Sequence, residues 1–125
     1  MMRVLFFGFG LLSILCGQAT IANAGEADVV RATADRQSNG TWRISATIKH
    51  GDTGWDHYAN RFDVLAPDGT VLGTRVLHHP HVDEQPFTRS LFNVRVPDDI
   101  TEIRVRAGDS VHETGGAEVT VKLTR

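Results

Sequence analysis

Sulfur is nearly absent from this chain of 125 residues. Its one cysteine, Cys16, and both methionines, Met1 and Met2, all fall near the start. The remainder can form no intramolecular disulfide and can offer a metal neither thiolate nor thioether. Excess positive charge is absent too, with 13 Lys and Arg against 15 Asp and Glu. No basic stripe or basic amphipathic segment occurs, so nucleic acid and anionic membrane surfaces are not expected partners. The one long apolar run, Val4 to Cys16, falls short of the about 20 residues that cross a bilayer. Beyond it no stretch repeats with the 3.6-residue period of an amphipathic helix.

That run follows Met1-Met2-Arg3 and precedes a small, polar segment ending Ala22-Asn23-Ala24. A charged start, an apolar middle and a small-x-small ending predict a signal peptide over residues 1–24, cleaved between Ala24 and Gly25. An uncleaved anchor is the lesser alternative. Cys16 is not expected to carry lipid, because bulky Leu15 precedes it where such sites want a small residue. Cleavage leaves residues 25–125 as one periplasmic or secreted domain, with no membrane association, 12 basic and 15 acidic residues. A hydrophobic core alone has to stabilise it, and a chain of this length can build one.

From Val30 onward, apolar and polar residues alternate. Val30, Ala32 and Ala34 form one such run, and Trp42, Ile44, Ala46 and Ile48 another. Phe62 and Val64, then Phe92, Val94 and Val96, then Ile103, Val105 and Ala107 continue it. Ala117, Val119, Val121 and Leu123 close the series, and residues 70–77 are bounded like a strand. A period of two with one apolar side predicts strands packed on one face. Seven short strands predict an all-β antiparallel sandwich of immunoglobulin or fibronectin-III type, with a small barrel as the alternative.

Alternate connections of such a domain emerge at the same end. Three of them hold every histidine: His50 and His57, then His78, His79 and His81, then His112. The intervening connections are turn sequences, Ser38-Asn39-Gly40, Pro67-Asp68-Gly69 and Pro97-Asp98-Asp99. The histidine-bearing loops are also the longer ones, where binding residues concentrate.

In His79-Pro80-His81 the proline favours extended backbone, which puts the two rings on one side roughly 6–7 Å apart. Both can then turn onto one ion at about 2.0–2.1 Å, with His78 facing away. The candidate ligands are His50, His57, His79, His81 and His112. Asp52, Asp56, Asp83 and Glu113 could orient the rings or complete the shell. Histidine and carboxylate without sulfur suit Zn(II), or Cu(II) as second choice. Against this stands the plainer view that loop imidazoles only bond to backbone groups. Trp55 could contact a ligand or partner, while Tyr58 and Phe87 read as plugs on the core. Asp109, Ser110 and His112 hold the residue types of a hydrolytic triad, but two-apart spacing and no nucleophile elbow argue against it. No catalytic residue is assigned, and a non-catalytic role is favoured.

The strings GWDHYA at 54–59 and HPHVDEQPFTRSL at 79–91 resemble a family of small exported bacterial proteins of unassigned function. The likeness extends through Asp109-Ser110-Val111-His112. It implies a periplasmic protein and carries no activity. The expectation is therefore a periplasmic β-sandwich with a histidine-rich, metal-binding end. The alternative is an accessory module that uses the same loops on a protein or small ligand.

Overall fold

The alternation becomes seven antiparallel strands. They are β1 (Asp28–Arg36), β2 (Trp42–Lys49), β3 (Ala59–Leu65), β4 (Val71–Val76), β5 (Phe87–Val94), β6 (Glu102–Asp109) and β7 (Val119–Lys122). The computed structural model describes residues 25–125. The expected signal peptide, residues 1–24, lies outside the described residues.

Two sheets form, one in the order β1-β2-β5 and the other β4-β3-β6-β7, and they pack as a sandwich. Central strands supply most of the core. In β2, Trp42, Ile44, Ala46 and Ile48 are all buried, while Arg43 and Lys49 face out. Phe62 and Val64 of β3 and Ile103, Val105 and Ala107 of β6 meet them from the other sheet. Phe87 plugs the histidine-rich end of this core, as its sequence position suggests.

Two runs depart from simple alternation, both through irregular pairing. The register of β1 on β2 shifts between Val29 and Arg31. Val29 is therefore buried and Val30 is 51% exposed, with Ala32 and Ala34 returning to the core. On β5, Val94 pairs with Trp42 but Leu91 with Ile44, so Phe92 and Asn93 together oppose Arg43. Asn93 takes φ 58°, and Phe92 points outward, 55% exposed. The expectation that Phe92 shares a face with Val94 and Val96 is thus corrected by a bulge, which one extra residue is enough to create. β7 is also shorter than its alternation suggests, and Ala117 before it is exposed.

Connections 37–41, 66–70 and 95–101 are tight turns closed by backbone bonds such as Gln37 N–H to Thr41 O (2.7 Å) and Ala66 N–H to Thr70 O (2.8 Å). Connections 50–58, 77–86 and 110–118 gather at the opposite end. The start of β1 joins them: Val29 N–H donates to Ala117 O (2.8 Å), and Ala117 N–H donates to Asp28 Oδ1 (2.7 Å). Gly116 permits this approach, since a Cβ there would lie 2.0 Å from Ala27 O.

The phase of β5 is testable by stability. Phe62→Ala should cost about 3–5 kcal/mol, as for other buried phenylalanines. Phe92→Ala should cost about 1 kcal/mol or less, as an exposed site does. Urea unfolding measures both, and comparable losses would place Phe92 in the core.

Candidate metal centre

His50 directly follows β2, on the inward phase set by Ile44, Ala46 and Ile48, and is buried. Its Nδ1 makes a short contact with Asp52 Oδ1. The same Asp52 oxygen accepts from Ala59 N–H (3.0 Å), and Oδ2 accepts from His81 N–H (2.7 Å). One buried carboxylate therefore joins the 50–58 loop, the start of β3 and the 77–86 loop. Gln85 adds a brace: its Oε1 accepts from His50 N–H (3.0 Å) and its Nε2 donates to His81 O (2.9 Å).

Asp109 closes β6, where it continues the inward series Ile103, Val105, Ala107, and its side chain is fully buried. Oδ1 accepts from Val111 N–H (2.8 Å) and, in a short contact, from His112 N–H. Oδ2 lies 3.2 Å from His50 Nε2, 3.2 Å from His112 Nδ1 and 3.5 Å from His57 Nε2. Burial pushes this carboxyl up. The amide groups of His112 and Val111 and the rings of His112 and His57 outweigh it and hold it below the ordinary carboxylate value.

A second oxygen enters the same space. Gly25 O is 3.0 Å from His50 Nε2 and 2.9 Å from His57 Nε2. The rings close around it, His50 edge-on to His57 at 4.8 Å between centroids and His57 tilted against His112 at 5.0 Å.

The donor atoms decide what this arrangement can do. Asp52 faces Nδ1 of His50, so a neutral ring that donates there presents its Nε2 lone pair to the site, and a protonated ring presents a second N–H instead. His50 Nε2 faces Asp109 Oδ2 and Gly25 O. Ring N–H groups can satisfy these oxygens, and neutral rings with their lone pairs turned inward can instead share a cation with them. His50, His57 and Asp109 each offer one ligand atom, all within 4.8 Å of one another. Tetrahedral ligands about 2.0–2.1 Å from zinc stand roughly 3.3 Å apart. The 3.2 and 3.5 Å separations from Asp109 match this, while the set as a whole spans up to 4.8 Å and would have to close around an ion.

Of the expected ligands, His50, His57 and His112 meet here. His79 and His81 do not join them. They face each other at 4.6 Å between centroids, the same-side placement that Pro80 predicts. His81 is buried, stacks on Phe87 at 3.9 Å, and accepts from Arg89 Nη2 (2.9 Å) at its Nε2. A guanidinium donating to that nitrogen occupies the lone pair a metal would need. Of the expected supporting carboxylates, Asp52 orients a ring, while Asp56, Asp83 and Glu113 stay exposed, as does His78. Trp55 is 67% exposed and meets Tyr58 edge-on. Ser110 Oγ accepts from Tyr58 N–H (3.1 Å) and turns toward Asp56 O rather than His112. Sequence reasoning named Asp109 only as a triad residue type, not as a ligand, and gave Gly25 no part in the site. Asp109 was detectable as a carboxylate on the apolar phase of β6. Nothing local marks Gly25.

No protein-family model and no solved structure matches the chain. It is similar to a protein of the archaeon Halomicrobium mukohataei named "Putative lipoprotein", 38% identical over 96 residues and 77% of this chain. The chain spans about half the length of that relative, 47%. The likeness reaches beyond the bacterial proteins that the sequence strings suggest.

Two predictions follow from the loop network. Asp52→Ala leaves Ala59 N–H, His81 N–H and His50 Nδ1 without their acceptor, each worth about 1–3 kcal/mol when buried. Chemical denaturation should show a loss of about 3 kcal/mol or more; a change under about 0.5 kcal/mol would show that the bonds do not form. Burial, then the charge of Arg89, then His79 lower the pKa of His81, while Asp52 and Glu84 oppose them more weakly. With the folded value below the unfolded value of about 6.5, the unfolded chain binds more protons as pH falls. This contribution is complete above about pH 6.5 and disappears as pH drops through the folded value. Metal-free protein should lose stability from about pH 7 to 5, and His81→Gln should flatten that slope. Urea unfolding across the range checks it, and identical slopes would contradict it.

Proposed function

We propose that this chain is an exported β-sandwich protein that binds one divalent cation, Zn(II) or Cu(II), through His50, His57 and Asp109. The carrying observation is the convergence of His50, His57 and Asp109, whose ligand atoms all lie within 4.8 Å of one another at a buried point. His112, beside Asp109 and 42% exposed in its side chain, is the ligand placed to exchange with solvent or a partner. Sequestration or delivery of the ion suits such a site. The signal-like leader and the relative's name support export, with the periplasm as the compartment.

An accessory module that binds through Trp55 is the second reading. The exposure of Trp55 favours it, but it gives the buried imidazole–carboxylate group no role. Bound metal is expected to be structural or cargo, and nothing assigns a reaction to the site.

Calorimetry tests the proposal on protein exported from the full-length gene and stripped with chelator. One equivalent of Cu(II) or Zn(II) should bind with Kd of about 1 µM or below. Asp109→Asn and His57→Ala should each weaken binding by about 10-fold or more. Folded protein that takes up neither ion at this level would refute the reading.

A further inference from the structure

Gly25 is set into the metal centre more closely than a chance neighbour would be. Its carbonyl oxygen is shared by His50 Nε2 and His57 Nε2. Its Cα lies against His112, such that a Cβ would sit 2.2 Å from Cε1 of that ring and 2.7 Å from Nε2. The backbone bonds of Val29 and Ala117 hold the following residues in place. Gly25 is also the residue that the Ala22-Asn23-Ala24 signal would leave first in the mature chain.

We propose that signal cleavage after Ala24 completes the metal centre, with the freed α-amine of Gly25 and its carbonyl oxygen chelating the ion beside His50, His57 and Asp109. The inference rests on the metal-binding reading above and adds to it a ligand that only processing can create. Before cleavage the Gly25 nitrogen is an amide, whose lone pair is delocalised into the carbonyl and binds metal poorly. Afterwards it is an amine, one bond from the Cα that His112 clamps and two from the carbonyl carbon whose oxygen already enters the site. Amine and carbonyl of one residue close a small chelate ring, so the second donor arrives at high effective concentration. A set of amine, imidazole and carboxylate favours Cu(II) over Zn(II) in the ordinary order of divalent affinities. It also gives glycine a chemical reason at this position, because any side chain would strike the His112 ring.

The test compares two proteins exported from full-length genes, the natural chain and one with a serine inserted between Ala24 and Gly25. Mass spectrometry reports the first residue of each, and circular dichroism the fold. The natural chain should begin at Gly25 and bind Cu(II) about 10-fold or more tighter than the extended one. Labelling with 15N-glycine should change the nitrogen hyperfine pattern of bound Cu(II) in the natural protein alone. Equal affinities with no effect of the label would overturn the amine ligand while leaving the imidazole–carboxylate site standing. A mature chain that begins elsewhere, at Cys16 for example, would overturn it as well. Failure of both proteins to bind Cu(II) would refute this inference together with the reading beneath it.

Discussion

The buried carboxylate of Asp52 is the interaction on which the functional end of the molecule depends. Its two oxygens accept from His50, Ala59 and His81, three points that strand topology alone would leave to separate loops. A carboxylate withdrawn from water is costly unless donors replace its hydration, and here three do. Those bonds also orient the ring of His50. Orientation of the ring and stability of the loops thus come from the same atoms.

Asp109 repeats the device at the end of β6 with an opposite chemical outcome. One of its oxygens is saturated by the amides of Val111 and His112, which shape the turn into the 110–118 loop. The other is left to imidazoles. Asp52 therefore meets His50 on the far side, while Asp109 presents an acceptor on the near side. The pair polarises the ring between them. A buried imidazole–carboxylate group of this kind could hold a metal ion.

Much of the fold was legible in the chain. Alternation in β2 and β6 marks strands with one wetter face, and turn residues mark three short reversals. The order of long and short connections then puts all the histidines at one end without any knowledge of which sheet each strand joins. Phe92 and Val30 were misassigned or blurred for one physical reason. A bulge adds a residue to one strand, and whether the partner strand absorbs it is a property of the pair. His79 and His81 illustrate a similar limit. Proline places their rings on one side, as it must, yet Arg89 reaches His81 from another strand and takes the lone pair.

The sequence by itself determined the class of fold, the end at which its imidazoles collect, and the exclusion of sulfur ligands beyond Cys16. Those properties follow from periodicity, parity of connections and composition, which are local or countable. Tertiary structure alone decided which imidazoles meet. It selected His50, His57 and His112 by bringing the β6 terminus across from the other sheet, and it added Asp109 and Gly25 from opposite ends of the domain. Donors within a few ångströms of one point come from residues up to 87 positions apart, from Gly25 to His112. No spacing rule links them, since the packing of two sheets sets their distance.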